Sequence, residues 1–588
     1  MTTTGLHVPG GSFIIRTTAP EEVFTPEDLS AEHRAVLGAV QEFVAREVVS
    51  RREAVEAKDY HVHRELLARL GAGGFLGVDV PEAYGGLGLD KVTSLIVSEG
   101  LADAGSFAVT YGAHAIIGTL GIVFFGTEEQ KQRYLPGLAS GKLVGAYALT
   151  EPGTGSDAMG ITTRAEQDAD GNWSLNGVKQ FITNAGFADL FTVYAKVDGE
   201  KFSAFLVERG AQGLTLGEEE KKMGTHGASC RAVNLNGVKV GNGNLLHEIG
   251  KGHHVAFNVL NMGRFKLAAG CLGGMKSALG VAVRYARERR AFGKTITEFG
   301  AIQHKLAEMA VRTFAVESLI YRSGGLIDAR LARVAESAAE VTRALEEYAI
   351  ECSIAKVYAS EQLGYVVDEL VQIHGGYGYI EEYPAAAAYR DARIHRIWEG
   401  TNEINRLLVP GTLLKRALQG RLDLLTAARR AADQVTSAGM PASSAGGHLA
   451  EEQALVDAAR QATLFVAGAA VQRFADRLEH EQEVLLGLAD LAIEVLAMDS
   501  ACLRARKSQA TGRRTAEHHA ELARVIVSDG VTRIEAAARP VLAALEQGDA
   551  LRTMLAGVRR VLRSNPADTI ALRRRIAQRV LEQGGYEA

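Results

Sequence analysis

Residues 147–157 read Tyr147-Ala148-Leu149-Thr150-Glu151-Pro152-Gly153-Thr154-Gly155-Ser156-Asp157, and they stand where the periodicity of the chain changes. Proline and two glycines dictate a tight loop whose backbone amides are free to bond a ligand, and Thr150 and Ser156 add hydroxyls. The spacing is not G-x-G-x-x-G and no strand–helix–strand unit surrounds it, so a Rossmann domain is excluded. Upstream, apolar residues recur at helical spacing through 28–143, as in 31–57, 60–70 and 91–104. Downstream come short runs rich in β-branched and aromatic residues at 144–149, 173–183, 190–197, 202–207 and 232–240. Asp170-Gly171-Asn172, Asn176-Gly177 and Asn236-Gly237 read as turns among them. The pattern predicts a small antiparallel β domain over 144–254.

Helical spacing returns after residue 253, in four long segments at 255–289, 298–330, 335–374 and 383–417. Short connections between them predict an up-and-down four-helix bundle over 255–420. Residues 1–27, rich in Thr, Gly and Pro, read as an arm, and Thr25-Pro26-Glu27-Asp28 reads as a helix start. Residues 421–448 read as a linker, with a Gly/Ser/Pro stretch at 437–447, before a further helical domain at 449–588. The expected fold class is mainly α with a central β domain: an N-terminal helical domain (28–143), the β domain, the bundle and an additional C-terminal helical domain. A chain of 588 residues needs several cores, which agrees.

With 47% hydrophobic and 23% charged residues, the composition is that of an ordinary globular protein. A net charge of −5 gives no reason to expect a nucleic-acid partner. Cys230, Cys271, Cys352 and Cys502 are far apart, with no C-x-x-C pair and no histidine at ligand spacing. Neither a disulfide framework nor a metal site is expected; isolated thiols in a reducing compartment are. No secretory pattern opens the chain and no run of eighteen apolar residues occurs, so a cytoplasmic location is expected.

The chemistry concentrates near residue 400, in Ile397-Trp398-Glu399-Gly400-Thr401-Asn402-Glu403-Ile404. Glu399 lies between an aromatic ring and a glycine. An apolar setting disfavours the charged carboxylate and raises its pKa towards that of a general base working near neutrality. From this segment alone, a solvated glutamate at a helix end is the commoner reading.

Four spaced motifs change that reading. The 147–157 loop resembles the T-E-P-x-x-G-S-D loop that covers the flavin in the acyl-CoA dehydrogenase family. Phe181-Ile182-Thr183-Asn184 resembles the family's W-I-T-N strand beside the isoalloxazine, with Phe181 in place of the commoner tryptophan. Arg289-Arg290-Ala291-Phe292-Gly293 resembles the R-x-x-F-G turn whose arginine reaches the FAD pyrophosphate of the neighbouring subunit, a task that suits a guanidinium fork. Gln372-Ile373-His374-Gly375-Gly376-Tyr377-Gly378 resembles the Q-x-x-G-G-x-G loop that lies on FAD across the dimer interface. The resemblance covers roughly residues 30–418.

The resemblance implies FAD as cofactor, held by Tyr147, Leu149, Thr150, Gly155, Ser156, Phe181, Ile182, Thr183, Arg289, Phe292, Gln372, Ile373, Gly375, Gly376, Thr401 and Glu403. It implies substrate contacts from Ser156, Asn261, Arg264, Trp398 and Gly400, and Ala108 and Gly112 at the floor of the acyl pocket, with the Tyr111 ring pointing either into the tunnel or away. For Arg264 the plain alternative is a surface salt bridge. Some relatives carry the base just before this arginine; here that residue is Gly263, which leaves Glu399. The implied reaction is oxidation of a saturated acyl-CoA to the trans-2-enoyl-CoA. Glu399 takes the Cα proton while a hydride leaves Cβ for flavin N5, and the Glu399 N–H and the flavin ribityl 2′-hydroxyl polarise the thioester oxygen.

The C-terminal extension and Phe299-Gly300-Ala301-Ile302-Gln303 resemble the very-long-chain branch. That implies a long-chain acyl-CoA substrate in fatty acid β-oxidation, a homodimer, and electron-transferring flavoprotein as acceptor. Peripheral membrane contact is a further expectation, since Leu422, Leu424 and Leu425 lie near Arg421, Arg429 and Arg430, and Arg559, Arg560, Arg563, Arg573, Arg574 and Arg575 follow. The competing expectation is a helical hairpin packed on the bundle. Two rival functions share these motifs: an acyl-CoA oxidase that returns electrons to oxygen, and a scaffold built on the same fold.

Overall fold

The computed structural model describes residues 8–334, 338–436 and 447–587. The first seven residues and nearly all of the flexible stretch expected at 437–447 lie outside the described residues. The protein is mainly helical around one central sheet.

The N-terminal layer comprises α1 (Ala31–Phe43), α2 (Arg52–Glu56), α3 (Tyr60–Ala72), α4 (Lys91–Gly100), α5 (Ser106–Tyr111), α6 (Leu120–Phe125) and α7 (Glu128–Ala139). Local chemistry explains where several begin: Ser30, Asp59, Asp90 and Thr127 each accept a backbone N–H at the start of α1, α3, α4 and α7. Helix α4 is buried along its whole length, so it can carry Ser98 and Leu101 to an internal cavity.

The sheet comprises β1 (Gly145–Ala148), β2 (Arg164–Gln167), β3 (Trp173–Thr183), β4 (Leu190–Val197), β5 (Lys201–Glu208), β6 (Leu214–Glu219), β7 (Cys230–Val240) and β8 (Leu245–Leu246). Its order is β6-β7-β3-β2-β4-β5-β8, with β1 also on β4. The expectation of an antiparallel sheet needs correction: β1 and β2 both run parallel to β4, because the 149–163 loop returns the chain to the same edge. Two expected turns are also corrected. Asn176-Gly177 and Asn236-Gly237 lie inside β3 and β7, where they face each other across a register shift, and Asn176 Oδ1 accepts the Gly237 N–H at 2.8 Å. Glycine with positive φ, 64° at Gly237, serves a bulge here as well as it serves a turn. Asp170-Gly171-Asn172 does join two strands.

The bundle is built from α8 (Gly252–Glu288), α9 (Gly300–Leu331), α10 (Ala338–Glu346), α11 (Ala349–His374), α12 (Pro384–Arg393) and α13 (Asn402–Leu418), with a small hairpin, β9 (Arg290–Ala291) and β10 (Lys294–Thr295), after α8. Two of the four expected segments are interrupted. The third breaks at Tyr348, and the fourth is broken between α12 and α13 by the turn that carries Glu399.

The tail forms α14 (Leu424–Thr436), α15 (Ala450–Phe474), α16 (Gln482–Ala510), α17 (Ala516–Leu545), α18 (Gly548–Val561) and α19 (Thr569–Gln583). Helix α14 lies where a linker was expected and packs on α15, with Leu422 buried. The tail is seated on the bundle: α16 and α19 lie against α9, and ion pairs, several of them buried, cross the boundary. Arg504, 1% exposed, pairs with Glu27 and Glu317 at 2.6 Å each; Arg322 and Arg460 share Asp499; and Arg406 bridges Glu361 and Asp490. Of the arginines considered for a membrane face, Arg573 is buried against Glu308, Arg559 pairs with Glu535, and Arg575 pairs with Glu521. Two helical stretches, Ser106–Phe125 and Ala450–His480, are long and apolar enough for a membrane span, contrary to the sequence reading, and 78% and 56% of their most apolar windows are buried inside the protein.

Candidate active site

Glu399 sits on a left-handed turn, with φ 58° at Glu399 and 78° at Gly400. A side chain in this conformation costs about 1 kcal/mol or more, so the surroundings must hold it. They do so through the turn's carbonyls. Arg264 Nε donates to the Glu399 carbonyl at 3.1 Å. Lys356 Nζ donates to the Gly400 carbonyl at 2.8 Å and to Asn402 Oδ1 at 2.7 Å. Asn405 Nδ2 donates to the carbonyls of Gly400 at 2.8 Å and Thr401 at 3.0 Å. Thr401 Oγ1 then caps α13 by accepting the Ile404 N–H.

The Glu399 side chain projects between α8 and a cavity. Its Oε2 is buried with no hydrogen-bond partner. An added Cβ at Gly263 would stand 2.5 Å from that oxygen, so glycine on α8 makes the room Glu399 occupies. Burial raises the Glu399 carboxyl to about 7; the positive charges of Arg264 and Lys356 act in the opposite direction and are outweighed. No described group accepts from the Glu399 N–H, whereas its carbonyl has two donors.

The cavity beside Glu399 measures about 540 Å³ and is lined mainly by apolar groups. One wall is a stripe of α8 that starts at Gly263 and runs through Leu267, Gly270, Gly274 and Ala278 to Val281. The 18 residue steps from Gly263 to Val281 span roughly 27 Å of helix, and the small side chains keep the wall thin. Ala108 and Gly112 line the same cavity, and a Cβ on Gly112 would meet only Ile116, at 3.9 Å. Tyr111 also lines it, buried, with its hydroxyl turned to Ser98.

Of the residues picked out by sequence, Thr183, Trp398, Glu399, Ala108 and Gly112 meet at this cavity. Asn261, Arg264, Gly400 and Thr401 belong to the base's support. Arg264 is 5% exposed, bonded to Asn261 Oδ1 and the Glu399 carbonyl, and it is no surface salt bridge. Tyr147 is half-buried at the end of β1, beside the 149–163 loop. Glu151 anchors that loop: its carboxylate accepts from Thr162, Thr163 and Lys179. Thr150 is half-buried there, and Gly155 and Ser156 are exposed. The β3–β7 register shifts between Lys179 and Ile182, Phe181 takes φ 59°, and its ring is left 60% exposed. Leu149, Ile182 and Ile373 turn their side chains into the core. Glu403 is exposed on the first turn of α13.

Arg289, Phe292, Gln372, Gly375 and Gly376 lie elsewhere, on an exposed patch at the ends of α8 and α11. The Arg289 guanidinium lies 5.6 Å from the Tyr377 ring, which brings the two motifs together; Phe292, at the hairpin tip, is 94% exposed. An exposed aromatic ring at Phe181, open space around Gly153, Gly155, Gly375 and Gly376, and a free arginine fork fit a planar ring system with a diphosphate.

Sequence reasoning missed Lys356, Asn402 and Asn405. A signal existed for Lys356: it is a lone charge in Ser353-Ile354-Ala355-Lys356-Val357-Tyr358-Ala359, an otherwise apolar stretch of helix.

Comparison with known proteins gives the following. Sequence profiles for the N-terminal, middle and C-terminal domains of acyl-CoA dehydrogenases match residues 30–142, 146–238 and 250–414, and a further acyl-CoA dehydrogenase C-terminal domain profile matches 458–560. A probable acyl-CoA dehydrogenase of Bacillus subtilis is 45% identical over 98% of both chains. The human mitochondrial very long-chain specific acyl-CoA dehydrogenase is 37% identical over 78% of this chain and 72% of its own. The crystal structure of an acyl-CoA dehydrogenase complexed with FAD from Bacillus anthracis superposes with a TM-score of 0.96 at 45% identity, covering 99% of this chain and 100% of that one.

Proposed function

The chain belongs to the acyl-CoA dehydrogenase family, as an FAD-dependent oxidoreductase acting on CH–CH bonds, and we propose that it desaturates long-chain acyl-CoA thioesters with Glu399 as the base. The observation that carries this reading is a buried carboxylate, one oxygen unpartnered, at the end of a long apolar cavity.

The acyl chain fills the cavity and displaces water, which strengthens every electrostatic interaction left inside. The thioester oxygen takes the free N–H of Glu399, which disperses the negative charge that develops as Cα loses its proton. Glu399 accepts that proton; with its carboxyl near 7, it is ionised in a useful fraction and is basic enough to act. FAD, when bound, supplies the acceptor for the hydride that leaves Cβ. The Thr150–Ser156 loop, Phe181 and Thr183 hold the ring end of the cofactor. Arg289 and the Gln372–Gly376 segment, on the exposed patch around Phe292, reach the diphosphate end of the cofactor held by a second copy in a homodimer.

The 27 Å stripe on α8 and the open space at Gly112 support a long acyl chain, as does similarity to a very long-chain specific enzyme. Electron-transferring flavoprotein is the proposed acceptor, and the cytoplasm, where four buried free cysteines stay reduced, the proposed location. The seated tail and its paired arginines favour a packed domain over membrane contact.

The test is Glu399→Gln with palmitoyl-CoA and octanoyl-CoA. The amide keeps the shape and cannot take a proton, so flavin bleaching should fall by roughly 10²–10⁴-fold while the protein stays yellow. Retention of more than about a tenth of the rate would remove Glu399 as base. Running the wild type with and without electron-transferring flavoprotein, under air and under argon, separates a dehydrogenase from an oxidase.

A further inference from the structure

Lys356 is the group around the base that has no part in the proton transfer itself. It lies on α11 and is wholly buried. Among the described residues no carboxylate forms an ion pair with it; its hydrogen-bond acceptors are the Gly400 carbonyl and Asn402 Oδ1, with the Glu399 and Glu403 carboxylates acting only at longer range. A buried ammonium without a directly paired anion is expensive to keep. Asn402 is itself held, by Nδ2 bonds to Ser360 Oγ and Glu361 Oε1, so the ammonium is offered a rigid pair of acceptors.

Those acceptors bracket the left-handed turn. Lys356 grips the carbonyl one residue after Glu399 while Arg264 grips the Glu399 carbonyl itself. Both cations therefore stand on the carbonyl side of the turn, close enough for their charges to act on the Glu399 carboxylate. We propose that Lys356 is a positioning residue for the reaction, fixing the Glu399–Gly400 turn through the Gly400 carbonyl and setting a positive charge beside the base. This rests on Glu399 being that base.

The other titratable and charged groups facing this turn are Arg264 and Cys271 from α8, Cys352 from α11, Tyr147 from β1, His395 from the turn after α12, and Glu403 from α13. Burial lifts the Cys271 and Cys352 thiols to about 12 and the Tyr147 hydroxyl above its ordinary value, and holds the His395 imidazole down at about 4. None of these four changes charge where Glu399 does. Lys356 itself is pulled down to about 8 by burial, so it is charged across the acidic limb of a pH profile.

The experiment is single-turnover flavin bleaching of the holoenzyme by palmitoyl-CoA as a function of pH, in wild type, Lys356→Gln, Lys356→Met and Glu399→Gln. Lys356→Gln removes the charge and keeps an amide donor for the Gly400 and Asn402 oxygens, which protects folding if the methionine variant fails to fold. In either Lys356 variant the acidic limb should move up by about one pH unit, the scale on which a nearby opposite charge acts. On that limb the rate is then about tenfold below wild type at equal pH. The plateau should fall further for methionine, which leaves two acceptors unpaired, than for glutamine. A purely structural lysine would lower thermal stability or flavin content and leave the limb where it is. A folded, yellow Lys356 variant with an unmoved limb overturns the proposal. If Glu399→Gln bleaches at the wild-type rate, the base assignment fails; if it is inactive and the limb is unmoved, only the role of Lys356 fails.

Discussion

Gly263→Ala tests the geometry of the base with one carbon atom. The new Cβ would start 2.5 Å from Glu399 Oε2 and 2.9 Å from its carboxyl carbon, and moving the oxygen out to the 3.4 Å of ordinary contact requires a shift of about 0.9 Å. Helix α8 cannot yield easily, because Val259, Met262 and Phe265 are buried around this point with at most 1% exposure. The carboxylate must therefore swing away, towards or across the cavity. A misplacement of about 1 Å at a reacting group can cost about 10²-fold in rate, so bleaching by palmitoyl-CoA should slow by that order. The same change should not weaken the fold, since alanine exceeds glycine in helix propensity by about 1 kcal/mol. The assay is therefore a pair: stopped-flow absorbance near 450 nm for the chemistry, thermal unfolding for the scaffold. A variant with normal flavin, unchanged or raised stability and a rate within about threefold of wild type, far short of the loss expected for such a misplacement, would refute the claim that Gly263 makes the room in which Glu399 works.

Glu399→Gln should also stabilise the protein while inactivating it. The folded carboxyl lies at about 7 against an ordinary 4.5, so the stability it lends is present at low pH and is lost as pH rises towards 7. The variant should therefore gain on the order of 3 kcal/mol at pH 8 and little at pH 4.5, and equal shifts in unfolding temperature at both values would count against the raised pKa. Arg289→Ala removes the fork from the exposed patch and should lower both flavin retention on gel filtration and the dimer fraction; full occupancy after purification would sink its diphosphate role. Gly112→Glu places a carboxylate in open space on the cavity wall and should cut the palmitoyl-CoA rate more than the octanoyl-CoA rate by roughly tenfold or more. Equal losses for both chains would place the floor elsewhere.

The layer order was legible because each layer has its own periodicity. Helical spacing, then alternation from Val144 onward, then helical spacing again after His253 is a local property, decided by which face of each element meets a core. The loop around Glu151 and the apolar carboxylate at Glu399 were legible from their residue types, whereas the motifs around Phe181 and Arg289 were legible only through their resemblance to the acyl-CoA dehydrogenase family. What pairs with what was not. Asn176-Gly177 and Asn236-Gly237 look like hairpin turns until β3 and β7 lie side by side, when the same positive-φ glycine becomes a bulge. The parallel pairing of β1 and β2 with β4 depends on a long return loop that no local pattern encodes. Above all, Glu399 owes its chemistry to groups 135, 43 and 6 residues away, Arg264, Lys356 and Asn405, whose donors meet on one turn. Sequence alone determined that a carboxylate would stand next to a tryptophan and a glycine. Tertiary structure decided that it would be buried, left-handed, unpartnered at one oxygen and flanked by two cations, because desolvation and Coulomb terms depend on distance through space and not along the chain.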